Sequence, residues 1–174
     1  MAYLLDANVF IQAKNLHYGF DFCPAFWDWI DIENEKGNVF SIEKVRDELL
    51  AGDDELAEWA KARTTEFFLP PTPAILPSMG IVSTWASTGA YEPVAVNTFL
   101  QKADYYLVAH AHSNEFVVVS HEIASPSTKK IKIPNACIDL GIKVMSPYEM
   151  LRTERARFVL RSWVTLPQPP SRPI

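Results

Sequence analysis

The chain has 174 residues, 48% of them apolar and 12% aromatic, which suits one domain with a sizeable core. Its net charge of −5 argues against a protein that coats nucleic acid through bulk charge, though not against an enzyme acting on it. No apolar run approaches the roughly 20 residues of a membrane span, and no basic leader with a small-residue cleavage site opens the chain, so the expectation is a cytoplasmic protein. Cys23 and Cys137 form neither a disulfide framework nor a CxxC pair and read as small apolar residues.

An apolar strand is expected at once, over Tyr3, Leu4 and Leu5, and it stops at Asp6. A helix follows over about residues 7–14, with Val9, Phe10 and Ala13 on one face, and then a loop around Gly19. Pro24 suits the first turn of a helix that Gly37 ends. Val39 and Phe40 read as a second strand, and Ser41 as the cap of a helix over 42–50. Asp53 or Asp54 caps a further helix to about residue 65, and residues 67–69 read as a short strand or connector.

Pro70, Pro71 and Pro73 interrupt the chain. Helices are expected at about 74–87 and 93–101, and more firmly at 103–112. Phe116 to Val119 is the clearest strand, a β-branched run of the kind buried in parallel sheets. Residues 131–133 read as a small strand or extended loop, 135–140 as a helical turn, 142–145 as a last strand and 147–157 as a last helix. Four prolines follow Leu166, so a poorly packed tail is expected. Strands alternating with helices give an α/β fold with a mostly parallel sheet and one core.

Sites on such sheets form outside the carboxyl ends of the strands. The first strand runs into Asp6 and the Phe116–Val119 strand into Ser120-His121-Glu122, so neighbouring placement would open both acids onto one crevice. Asp104 shares a helical face with Leu107, Val108 and Ala111 and points inward near the helix start. Glu48 follows Ile42 and Val45 at steps of three, at the border of a buried stripe. Each acid has a plain alternative. Asp6 can cap its helix, Asp104 can favour the helix dipole, Glu48 can pair with Lys44, and Glu122 can be a loop acid. Four acids converging on one crevice repel one another, and hard divalent cations, Mg²⁺ or Mn²⁺, are their natural neutraliser.

These residues resemble the PIN domain, a metal-dependent ribonuclease fold found in many toxins of toxin–antitoxin pairs. The resemblance rests on Leu4-Leu5-Asp6-Ala7-Asn8, on Val45 through Leu50 with Glu48, on Lys102-Ala103-Asp104 with the helix after it, and on Val118-Val119-Ser120-His121-Glu122. The stretch from Lys130 to Cys137 resembles a less characterised PIN-like branch. The resemblance implies a three-layer α/β/α sandwich over about residues 1–150; a helical insert at 69–101 and a C-terminal extension at 151–174 depart from the family pattern. It implies cleavage of single-stranded RNA to 5′-phosphate and 3′-hydroxyl ends. Asp6, Asp104 and Glu122 would hold Mg²⁺ or Mn²⁺, with Glu48 as ligand or water-positioning base and Asn8 and Ser120 orienting water or substrate. An antitoxin protein and a second copy of the chain are the implied partners. A non-catalytic PIN-like module that binds RNA or protein is the competing reading, and a nuclease on structured DNA is disfavoured by the lack of a large basic clamp.

Other signals lead nowhere. His121-Glu122 lacks the second histidine of a zinc-protease motif, His110 and His112 diverge around a helix, and Ser120-His121 lacks the glycines of a nucleophile elbow. Lys129, Lys130 and Lys132 read as a solvated cluster, as do the arginines from Arg152 onward. Phe158, Val159, Leu160, Trp163 and Val164, interleaved with Arg157 and Arg161, pack on their own domain or dock a partner.

Overall fold

Leu4 and Leu5 have no exposed surface, and neither has Tyr3, so the short run they form can only be an interior strand. In the computed structural model, which describes residues 1–159, it is the central one of five. These are β1 (Tyr3–Leu5), β2 (Val39–Ile42), β3 (Phe68–Leu69), β4 (Val117–Val119) and β5 (Val144–Met145). All pairs are parallel, in the order β3-β2-β1-β4-β5. Tyr3 lies opposite Val39 on one side, and Leu5 opposite Val119 on the other. The order reverses between β1 and β4, which makes the carboxyl ends of those two strands the switch point of the sheet.

Nine α-helices among the described residues complete a three-layer α/β/α sandwich. They are α1 (Ala7–Gln12), α2 (Pro24–Glu35), α3 (Glu43–Leu50), α4 (Glu55–Lys61), α5 (Leu76–Thr88), α6 (Pro93–Gln101), α7 (Ala103–Asn114), α8 (Ile133–Asp139) and α9 (Pro147–Thr153). None is long and apolar enough to cross a membrane. Phe10 anchors an aromatic cluster with Trp59, Phe67 and Phe68, at ring-centroid separations of 5.3, 6.1 and 6.4 Å.

Several expectations are corrected. Ser41 is no helix cap: it is a buried β2 residue whose hydroxyl donates to the Leu5 carbonyl at 2.7 Å, and Ile42 takes the cap position of α3. The strand outlasts the expectation because Ser41 and Ile42 pair with Phe68 and Leu69 of β3. The first helix passes into a π-helical turn, Ala13–His17, rather than a loop. Of the two readings of residues 131–133 the extended loop holds for Ile131 and Lys132, with Ile131 buried in the core, and Ile133 already starts α8. Pro77 does not break α5, because it stands in the first turn, where a missing N–H costs nothing.

The insert at 69–101 supplies α5 and α6, which pack against α7, and Tyr105 Oη donates to the Met79 carbonyl at 3.0 Å. The division expected at residue 150 falls inside α9. Beyond it Glu154 accepts a bond from Tyr3 Oη at 2.5 Å, and Phe158 packs edge-on against Tyr18 and Phe26, so this part of the extension packs onto the core of the same domain. Leu160, Arg161, Trp163, Val164 and the proline tail lie outside the described residues.

Of the two capping candidates Asp54 caps α4, accepting from the Leu56 and Ala57 amides at 3.0 Å each, and it also pairs with Lys14. Asp54→Ala is expected to cost about 1–2 kcal/mol and to lower the melting temperature by roughly 2–8 °C. Thermal denaturation followed by circular dichroism checks this.

Candidate metal centre

Asp6 leaves β1 at the switch point with its amide bonded to the Val119 carbonyl at 3.0 Å, and Ser120 leaves β4 with its amide on the Met145 carbonyl at 3.1 Å. Both side chains are buried. Ser120 Oγ donates to Asp6 Oδ2 at 2.9 Å and accepts from Asn8 Nδ2 at 3.2 Å and from the Glu122 amide at 3.0 Å. One donor and two acceptor sites are all that a hydroxyl has, so Ser120 is fully engaged as a brace for Asp6. Asn8 closes the network by accepting from the His121 amide at 3.0 Å. Asp6 does occupy the cap position of α1, but its side chain makes no capping bond; its oxygen goes to Ser120 instead.

Asp104 stands in the first turn of α7 and is only partly exposed. Asp6 feels the charge of Asp104. Burial, and then the Asp104 charge, push the Asp6 carboxyl up to about 7, against the pull of Ser120. Asp104 is raised by burial and by Glu122, against Lys102 and Lys130. Glu48 is exposed, more than a border position implies. Its carboxyl is raised by burial and Asp104 and lowered by the Ala103 amide and Lys102. It makes no pair with Lys44, whose partner is Asp47 at 4.0 Å.

Glu122 has partners of its own on the α8 side. Its Oε1 accepts from Lys132 Nζ at 2.8 Å and lies 3.5 Å from Lys130 Nζ, while its Oε2 accepts from the Ile133 amide at 2.9 Å. Burial works against its ionisation, but these partners outweigh it and hold the carboxyl below the usual glutamate range. Each oxygen accepts from a donor on the α8 side, so Glu122 acts as a strut there.

The chemistry of the remaining donors fits a hard cation. Asp6 and Asp104 are oxygen donors whose mutual repulsion no ion pair relieves among the described residues, and Mg²⁺ is commonly held by one or two carboxylates with water filling the other positions. A closed cage is not preformed: among the described residues no three His, Cys, Asp or Glu side chains are grouped to hold a metal ion.

A protein-family model described as a domain of unknown function, DUF4411, matches residues 3–158, which include every residue of this crevice. The chain belongs to the DUF4411 family. No curated protein matches it.

Two features of this DUF4411 chain lie outside the expected site. Lys129 and Lys130 are exposed, as a solvated cluster implies, but Lys132 is drawn onto Glu122, and Lys130 also lies within ion-pair reach of it. The run Lys129, Lys130, Lys132 is visible in the sequence, but nothing there places it ten residues back against Glu122. The second feature is a ring cluster beside Ser120. His17, His121 and Tyr148 have centroids 5.6 Å apart in all three pairs, and Tyr148 Oη and His17 Nε2 share a hydrogen bond of 2.9 Å. The rings come from three distant stretches, and no sequence signal links them. Elsewhere Cys137 is buried and its thiol pushed up to about 12, which makes it an apolar filler, as its sequence context implies.

Proposed function

We propose that this protein is a PIN-like, Mg²⁺- or Mn²⁺-dependent endoribonuclease that cleaves single-stranded RNA in the cytoplasm, in the role of a toxin restrained by an antitoxin protein, and that it works as a homodimer. One observation carries the catalytic part of the reading. A buried carboxylate at the switch point of a parallel sheet, Asp6, is braced by Ser120 and feels the charge of a second, Asp104, and no ion pair engages either among the described residues. Such an arrangement is costly for folding alone, and perturbed carboxylates in a crevice are a mark of a working site.

Asp6 and Asp104 would hold the ion. When bound, it would polarise the scissile phosphate and make a water acidic enough to attack near neutral pH. Ser120 and Asn8 hold the Asp6 carboxylate in place, so its geometry is set before substrate arrives. Glu48, at the rim beside Ala103, can accept a proton from or orient the attacking water, its raised carboxyl suiting that task better than an ordinary glutamate would. Glu122 contributes by placing Lys130 and Lys132.

Cleavage of a labelled single-stranded RNA with Mn²⁺ tests the proposal. The parent should yield 5′-phosphate and 3′-hydroxyl ends, and Asp104→Asn should leave no measurable cleavage. Full activity in Asp104→Asn would reject it. The absence of a preformed three-carboxylate group among the described residues favours one other reading, a non-catalytic PIN-like module that binds RNA or protein. RNA binding by a parent that never cleaves would establish that reading instead.

A further inference from the structure

A cavity of about 310 Å³ lies beside Asp104, between α6 and the segment that precedes α8. Ala95, Phe99 and Ile131 give it an apolar floor, and Lys102, Lys129 and Lys130 give it a basic rim. Asp104 is the one acid in its lining, on a chain whose net charge is −5. The positive charge is therefore concentrated here against the trend of the whole molecule.

The walls are held before any ligand arrives. The Glu92 amide, just ahead of α6, donates to the Thr128 carbonyl at 3.0 Å and ties the insert to the lysine segment. Asn135 clasps Ser125 from both sides, accepting from its amide at 3.0 Å and donating to its carbonyl at 2.9 Å. Glu122 draws in Lys132 and Lys130, and one carboxylate cannot neutralise two ammonium groups, so net positive charge remains at the rim. Fixed walls spare a ligand the cost of ordering them.

We infer that this cavity receives one nucleotide of the RNA strand next to the phosphate at Asp6 and Asp104, with its own phosphate on Lys129 and Lys130 and its base on the floor of Ala95, Phe99 and Ile131. The inference rests on the nuclease reading of the crevice. The volume lies at the small end of ligand pockets, about 300–1,000 Å³, which suits a single nucleotide and excludes a duplex. Lysines meet phosphate as point charges, and an apolar floor accepts the face of any base, so the subsite would hold the strand with little regard for sequence.

Fluorescence anisotropy with a fluorescein-labelled oligoadenylate, in EDTA so that nothing is cut, tests this. The control pair is Lys36→Ala/Lys143→Ala, which removes the same charge just ahead of β2 and β5, at the opposite edge of the sheet. Lys129→Ala/Lys130→Ala should bind about tenfold more weakly than that control. The slope of log affinity against log salt should fall by about 0.7, the share of the one phosphate no longer neutralised. Thr98→Trp, an exposed position in the cavity wall, should block the floor and weaken binding at least about threefold with the lysines intact. Equal affinity of the two lysine pairs would overturn the assignment. So would displacement of the oligoadenylate by an oligoglutamate of equal charge at equal concentration, which would mark a seat for an acidic protein segment. Lysine-dependent binding without cleavage would sink the nuclease reading and leave the subsite standing. Cleavage with lysine-independent binding would do the reverse.

Discussion

Asp6→Asn is expected to melt above the parent at pH 8 in EDTA, by on the order of 10 °C. The Asp6 carboxyl has been moved from an ordinary value of 3.8 up to about 7 by burial and by Asp104. Between those two values the unfolded chain has released its proton while the folded chain keeps it. Stability therefore falls as pH rises through that window, and the deficit above pH 7 is of order 4 kcal/mol. An asparagine has no charge to bury, and its carbonyl can still accept from Ser120 Oγ. The gain should narrow steadily as the pH is lowered toward 4, where the parent is protonated too. Mn²⁺ should raise the melting point of the parent, because binding to the native state alone stabilises it, and should leave Asp6→Asn unmoved. Scanning calorimetry across pH, with and without Mn²⁺, gives both readings. A variant that melts below the parent at pH 8 would show that the Asp6 charge is not under strain in the metal-free fold.

Glu122→Gln is expected to act in the opposite direction. The partners of Glu122 favour its ionised form, so its contribution to stability is present above the ordinary value of 4.5 and is lost as pH falls through the lower folded value. The glutamine keeps one acceptor for the Ile133 amide or for Lys132 but cannot serve both, and it leaves Lys130 without its counter-charge. A loss of about 1–3 kcal/mol at pH 7 follows from weakening charge-assisted bonds at a site with little solvent, or roughly 2–12 °C in melting temperature. The gap between parent and variant should close only as the pH falls below the ordinary value of 4.5 and through the lower folded one. Mn²⁺ affinity, read by calorimetric titration, should stay within about threefold, since Asp6 and Asp104 are untouched. A tenfold or greater loss of Mn²⁺ affinity would return Glu122 to the ligand set.

Much of the fold was legible because its signals are local. Three residues without a charge, followed by Asp6, mark a buried strand ending at an edge. Val117, Val118 and Val119 are β-branched neighbours that pack only on a pleated surface. Pro24, Gly37 and Pro93 punctuate helices through their own backbone limits. Ser41 departs from expectation for a reason of the same kind. A serine before a helix has a cap's chemistry, and only the neighbouring β1 carbonyl reveals that its hydroxyl is spent across the sheet. The insert at 69–101 could be seen as helical, but not as one wall of a cavity, since that depends on a backbone bond from Glu92 to Thr128.

The sequence by itself determined an α/β chain with a parallel sheet, an acid at the end of each of two interior strands, and a third acid on the inward face of a helix. Strand order and side-chain partners were decided by the tertiary structure. With β1 beside β4, Asp6 meets Ser120 and feels Asp104, while Glu122, a little further along the chain, falls to Lys132, Lys130 and the Ile133 amide. Periodicity can say that a carboxylate points inward. Whether it arrives near another carboxylate, as Asp6 does near Asp104, or beside an ammonium group, as Glu122 does beside Lys132, depends on residues nearly a hundred positions apart in one case and ten in the other, and those are brought together only when the layers pack.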